Sequence, residues 1–289
     1  MMFKDARDYQ ILFLSSFLIL GISTRDWTIH PEFLLVIILT CLITQWFFTS
    51  FLAFWPAWWR GEYPVNFALS RFRFSFSSLR SALITGLALC LLLRANEAST
   101  MAIAAFLAIA SKFLFRWSGK HFFNPANFGI IAALLLTQDA WISPGQWGTD
   151  WWYLLLFLGA GGMILNKVGR WDTSAAFLGA YAGLEALRNL WLGQAWDVYF
   201  HHLTRGSLLL FALFMLTDPR SIPNAWLSRI LWALTIAMVT FFLEHTLYLN
   251  NAIFWALFGL SPVTILCDRV WSAPRFHWAI GAFKSEASG

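Results

Sequence analysis

The chain has 289 residues, of which 59% are hydrophobic and 12% charged, with a mean hydropathy of +0.62. Soluble domains carry about 45–50% apolar and about 25% charged residues, and a water-facing surface must be clothed by charge, so a soluble enzyme, a disordered tail and a collagen-like rod are excluded. What fits is an all-α polytopic membrane protein, with the net charge of +5 expressing basic residues sorted to one side of a bilayer rather than contact with nucleic acid.

A spanning helix needs about 17–25 largely apolar residues. Ten runs qualify or come close: 8–24, 33–54, 80–95, 99–116, 127–140, 150–166, 172–192, 205–217, 226–243 and 248–267. They are continuous, without the alternation of a barrel strand. The third, fifth and eighth are short, as helices that line an internal site often are. The first run lacks an A-x-A-like cleavage site before Arg25 and Asp26, so no cleavable signal peptide is expected.

The charges agree with ten spans and both termini inside. Alternation puts Lys4, Arg7, Arg60, Arg71, Arg73, Arg80, Lys112, Arg116, Lys120, Lys167, Arg170, Arg220, Arg229, Arg269, Arg275 and Lys284 on one side. Only Arg25, Arg94, Arg188 and Arg205 fall on the other, so sixteen of twenty basic residues are inside. Halving ten spans gives five plus five of opposite entry, the arrangement of an inverted repeat, although no residue-level repeat is visible. The expected organisation is one integral membrane domain over 1–289. It comprises two N-terminal helices with an interfacial loop (1–79), a core (80–270) and a cytoplasmic tail (271–289). The Trp-, Phe- and Arg-rich segment 55–80 reads as an interfacial stretch whose arginines reach lipid phosphates, or as a docking surface.

Two segments on the basic side could carry chemistry. In KHFFNPANFG (120–129), Pro125 breaks the chain and Asn124 and Asn127 offer amides at a helix start. Either Asn caps the helix, or the exposed N–H groups receive an anionic or carbonyl ligand. In TDPRSIPN (217–224), Asp218 stands where apolar sequence stops and Arg220 is close enough to pair with it. The residue is either a cap beside a basic anchor or a carboxylate at the mouth of a cavity. The outer loop DAWISPGQWGTD (139–150), with Trp141, Trp147, Trp151 and Trp152 in or beside it, reads as an aromatic belt.

Other polar residues within spans are few. Glu185 and Arg188 are placed to pair at i,i+3, Glu244 and His245 end the ninth span, and the GAGG at 159–162 reads as close helix packing. Cys41, Cys90 and Cys267 have no CxxC spacing, and neither a disulfide framework nor a metal site is expected. No HExxH, GxSxG, Walker or GxGxxG pattern occurs, and no catalytic residue is assigned.

HFFNPANFGI resembles the FNPA segment of the NqrB/RnfD membrane subunits of sodium-pumping NADH:quinone reductase and the Rnf electron-transport complex. GSLLLFALFMLTDPRSIPN looks like the same family's small-residue helix ending in a TDP loop. GAGGMILNKVGRWDTSAAFLGAY is similar to the span pair before it, and LSPVTILCDR to the closing segment; the likeness covers roughly 80–270. It implies a ten-helix fold related in shape to urea transporters and a part in moving electrons between flavins and quinone. The family often carries FMN on the threonine of an S-G-A-T motif before the sixth span. That motif is absent here, Thr149 being the only threonine of a shorter loop. The expected cofactor is therefore noncovalent FMN or riboflavin, with quinone as a further redox partner. The resemblance implies binding by His121, Asn124, Pro125, Asn127, Thr217, Asp218 and Arg220. With no NADH motif and no cluster cysteines, the chain would be at most one redox subunit among other membrane or redox subunits, embedded in lipid, in a bacterial inner membrane. Two alternatives stand beside it: a channel or transporter for a small solute or ion, and a membrane scaffold subunit.

Overall fold

A computed structural model describes residues 5–24, 30–59, 76–143 and 151–276. Most of segment 55–80, the tip of the outer loop including Trp147 and Thr149, and Lys284 lie outside them. Each of the ten apolar runs holds helix. The helices are α1 (Ala6–Thr24), α2 (Pro31–Trp59), α3 (Phe76–Leu92), α4 (Ala98–Leu114), α5 (Pro125–Leu136), α6 (Trp151–Val168) and α7 (Trp171–Leu192). Then come a short α8 (Trp196–Leu203), α9 (Gly206–Leu210) running into a π turn at Phe211–Met215, α10 (Trp226–His245), α11 (Ala252–Leu260) and α12 (Val263–Val270). Two antiparallel ladders of two residues a side join loops: β1 (Leu93–Arg94) with β4 (Trp141–Ile142), and β2 (Arg116–Trp117) with β3 (Lys120–His121). Ser118 and Gly119 turn the second hairpin with φ of 51° and 81°, the left-handed pair that a tight right-twisted hairpin needs.

The molecule is a helical membrane protein. Helices 31–52 and 226–245 are long and apolar enough to cross a bilayer, and α11 with α12 supplies a third such stretch bent by 49°. The bend follows from Ser261-Pro262, where the proline withholds an N–H from the ladder. Large apolar side chains face outward, among them Ile19, Leu35, Ile43, Leu135, Leu155, Leu187 and Met238, as expected where hydrocarbon is the solvent. Inside, small residues let backbones meet. A Cβ on Gly129 of α5 would lie 2.6 Å from the Ala104 carbonyl oxygen of α4, and Ala104, Ala105 and Ala108 are fully buried. Of the GAGG glycines only Gly161 makes such an approach, to Leu213 of the π turn; Gly159 and Gly162 face open space.

Ion pairs and hydrogen bonds gather the loops into two sets. At one end Asp5 and Asp8 meet Arg80, Lys120 meets Asp268, His121 meets Asp218, Asp172 meets Arg229, and Arg275 meets Ser118. At the other, Asp139 accepts N–H bonds from Asn96 and Glu97, and Arg205 meets Glu244. Among the described residues the first end holds basic residues assigned to the inside, and the second holds Arg94, Arg188 and Arg205.

Candidate functional site

The short helices α5 and α9 stop within the bundle, and their ends meet. Asn124 caps α5, its Oδ1 accepting the Asn127 N–H at 3.1 Å, with Pro125 in the first turn where its missing N–H is harmless. The same amide donates from Nδ2 to the Met215 carbonyl at 3.1 Å. That carbonyl ends the π turn, in which the Leu216 N–H reaches back five residues to Phe211. A π turn pulls carbonyls out of the i,i−4 ladder. Here side chains reach them: Ser174 Oγ donates to Ala212 at 2.6 Å and Thr217 Oγ1 to Leu213 at 2.9 Å.

Between these ends and helices α1, α3 and α6 lies a cavity of about 860 Å³, its open mouth included. One wall is apolar, built from Leu14, Ile84, Ala88, Leu91, Leu210 and Phe214; the other end is polar, with Arg7, Gln10, His121, Asp218 and Arg220. The structure thus brings six of the seven residues read from sequence to one space: His121, Asn124, Pro125, Thr217, Asp218 and Arg220. Asn127 goes elsewhere. It is fully buried behind the cavity wall and donates to the Phe254 carbonyl at 3.1 Å, tying α5 to α11. Asn124 and Thr217 line the cavity with their polar atoms already engaged by backbone. Arg7, Gln10, Ser81 and Thr85 were not legible as site residues, because a lone polar residue in an apolar helix has no pattern.

Asp218 Oδ2 lies 3.5 Å from His121 Nε2, and its Oδ1 accepts the Arg220 N–H at 3.1 Å in a tight turn. Burial alone would raise the Asp218 carboxyl. The His121 ring, the Arg220 N–H and the Arg220 guanidinium outweigh it and hold the carboxyl below its ordinary value. Burial pulls His121 below the usual imidazole range, Asp218 opposes it, and Lys112 and Arg220 add to it. The two shifts favour a carboxylate beside an uncharged imidazole, with Nε2 facing the carboxylate at 3.5 Å. The Asp218–Arg220 pairing expected from sequence is made by the Arg220 backbone.

Lys120 ties the β2–β3 hairpin to the 217–224 loop and to α12. Its ammonium donates to Asp268 Oδ2 at 2.8 Å, to Asn224 Oδ1 at 3.4 Å and to the Ile222 carbonyl, while Asp268 Oδ1 accepts the Asn224 N–H at 2.7 Å. Next to it Asp172 and Arg229, both buried, join α7 to α10 at 2.6 Å.

The fold and this site define a helical membrane protein with a polar-ended internal cavity between two broken helices. A profile of the NQR2, RnfD, RnfE family matches residues 138–273. The chain is 29% identical over 117 residues to the D subunit of the ion-translocating oxidoreductase complex of Stutzerimonas stutzeri, and 31% identical over 118 residues to the protein of that name in Vibrio vulnificus (strain YJ016). Each alignment covers 40% of this chain and 33% of the relative, so the chain spans about a third of the length of the relatives it matches. The NqrB/RnfD resemblance is borne out over residues 138–273, from the outer loop through the TDP segment to the closing Asp-Arg, which match the profile of this family. The matched stretch begins after the FNPA segment, which the Asn124–Met215 hydrogen bond ties to it.

Proposed function

We propose that this chain is a membrane subunit of an electron-transport complex of the NqrB/RnfD type, and that the cavity between α5 and α9 holds a noncovalently bound redox ring, an isoalloxazine or a quinone. The convergence of the FNPA and TDP loops on one cavity carries the reading. The residues fit such a group by chemistry. The apolar wall accepts a flat ring, and Gln10 and Arg220, whose side chains make no hydrogen bond among the described residues, offer donors to its oxygens. A bound ring would supply the electron-carrying chemistry. The Arg220 guanidinium would favour negative charge at the ring's polar edge, and the neutral His121 would hold a proton at Nε2 beside the Asp218 carboxylate. The apolar wall would exclude water.

The wider reading is ten spans in a single domain, with both termini and the cavity mouth on the cytoplasmic side of a bacterial inner membrane. Packing supports an inverted five-plus-five repeat. In the first half α1 and α2 pack on α3, α2 on α4, and α4 on α5. In the second, α6 and α7 pack on the π turn that ends α9, α7 on α10, and α10 on α11. The relatives are named as subunits of a multi-subunit complex; by that likeness this chain would work beside other membrane or redox subunits.

The test is the cofactor content of gently extracted, tag-free protein by absorption spectrum and mass analysis. Stoichiometric flavin or quinone is expected, falling on Arg220→Ala and Gln10→Ala with the helical content unchanged. Protein free of both refutes the redox reading.

A further inference from the structure

At the end of the bundle remote from the cavity, ionisable side chains from α7, α8, α10 and the Thr204–Arg205 corner converge. His245 Nε2 lies 2.5 Å from Glu185 Oε1, joining α10 to α7. Glu244 accepts the Tyr181 hydroxyl at Oε2, 2.8 Å, and the Arg205 guanidinium at Oε1, 2.8 Å. His202 places Nδ1 3.9 Å from the same Glu244 oxygen. That nitrogen is buried without a hydrogen-bond partner, a state that buried polar atoms seldom keep. One ligand atom from each of Glu185, Glu244 and His245 lies within 4.8 Å of the other two.

We propose that Glu185, Glu244 and His245, with His202 as fourth ligand, form a binding site for a divalent transition-metal ion of the Zn²⁺ type. The donor set is the reason. Imidazole nitrogen and carboxylate oxygen together suit Zn²⁺ at about 2.0–2.2 Å. Mg²⁺ demands near-ideal octahedral oxygen geometry and releases water reluctantly. Small side-chain rotations bring the three donors to the edge of a tetrahedron, about 3.4 Å for such bonds. His202 then gains a partner for its orphan nitrogen. The Tyr181 hydroxyl holds the Glu244 carboxylate in place, as outer hydrogen bonds do around metals. Two carboxylates face one guanidinium, so Arg205 is the resident cation that a metal must displace from Glu244 Oε1. Bound metal would clamp α7 to α10 at the end opposite the Asp172–Arg229 pair. The inference does not depend on the cavity or on its ring.

The experiment titrates the full-length, tag-free chain in detergent with Zn²⁺ by chelator-dye competition, and with Co²⁺ by visible absorption. One ion per chain is expected, with the strong d–d band of low-coordinate Co²⁺ and no competition from excess Mg²⁺. His245→Ala, Glu185→Gln and His202→Ala should each weaken binding about tenfold or more. His202 is the most solvent-facing of the four, so its loss serves where the buried variants fail to fold. Arg205→Gln should strengthen binding severalfold by removing the competitor. The proposal is overturned by the lack of saturable Zn²⁺ uptake, by an affinity that is the same in wild type and His202→Ala, or by weaker binding in Arg205→Gln.

Discussion

Asn124 is the residue on which the junction of the two short helices depends, and its removal should be measurable. Replacement by alanine takes away two hydrogen bonds of different kind. Loss of the cap on the Asn127 N–H costs about 1 kcal/mol. Loss of the Nδ2 donor removes one of two hydrogen bonds on the buried Met215 carbonyl, which keeps the Asp218 N–H, and costs about 0.5–1.5 kcal/mol. The sum is about 1.5–2.5 kcal/mol for Asn124→Ala. Serine separates the terms, since its hydroxyl can cap the helix but is too short to reach Met215. Asn124→Ser should therefore lose about 0.5–1.5 kcal/mol, recovering the capping part. Equilibrium unfolding in mixed micelles, followed by tryptophan fluorescence, gives both numbers. A stability for Asn124→Ala within about 0.5 kcal/mol of wild type, the range of a surface substitution, would refute the claim that this side chain joins α5 to the π turn.

Three further outcomes follow from the same geometry. Arg229→Ala strands the buried Asp172 carboxylate and should destabilise by about 3–5 kcal/mol, whereas a paired Asp172→Leu, Arg229→Met exchange should recover most of that; the same unfolding assay reads it. His121 is held below its ordinary value of 6.5, so on acidification the unfolded chain binds the proton first. Stability fully present above pH 6.5 should then fall through the interval beneath it, with Asp218, held below 3.8, still ionised there. His121→Gln should flatten that slope, and an equal slope in both proteins counts against the assignment. Gly129→Ala drives a methyl against the Ala104 backbone and should cost about 1–3 kcal/mol, while Gly161→Ala meets only the Leu213 side chain and should cost less; equal losses would contradict the packing.

Most of the helical plan could be read from hydrophobicity alone, because hydrocarbon permits only segments that satisfy their own backbone. The parts that could not be read depend on contacts distant in sequence. Glu185 and Arg188 stand at pairing distance on one helix, yet Glu185 turns to His245, sixty residues away, and Arg188 reaches Gln194. A local i,i+3 pair is worth only a few tenths of a kcal/mol, too little to hold a carboxylate that a neighbouring helix can bury. The amphipathic α8 was not separable from its loop, since eight residues give too little periodicity. The π turn has no marker in FALFM. Gln10 and Ser81 belong to the cavity only because α1 packs on α3.

Capping and ligand binding look like competing explanations for the FNPA and TDP segments, and the geometry makes them one. A helix that ends inside a bundle leaves backbone groups that neither water nor lipid can satisfy. The protein must bring polar side chains to those ends, and wherever two ends meet, the polar groups collect at one place in an apolar interior. Asn124 satisfies both ends at once, Thr217 closes the π turn, and Asp218 turns the chain on the Arg220 N–H. These residues cannot close-pack as leucines would, so the junction keeps a cavity with a polar end. What remains for a ligand is the set that capping does not consume: the Arg220 guanidinium, the Gln10 amide and the face of His121. Variants at those three should change what the cavity holds while leaving the fold intact, and variants at Asn124 should do the reverse.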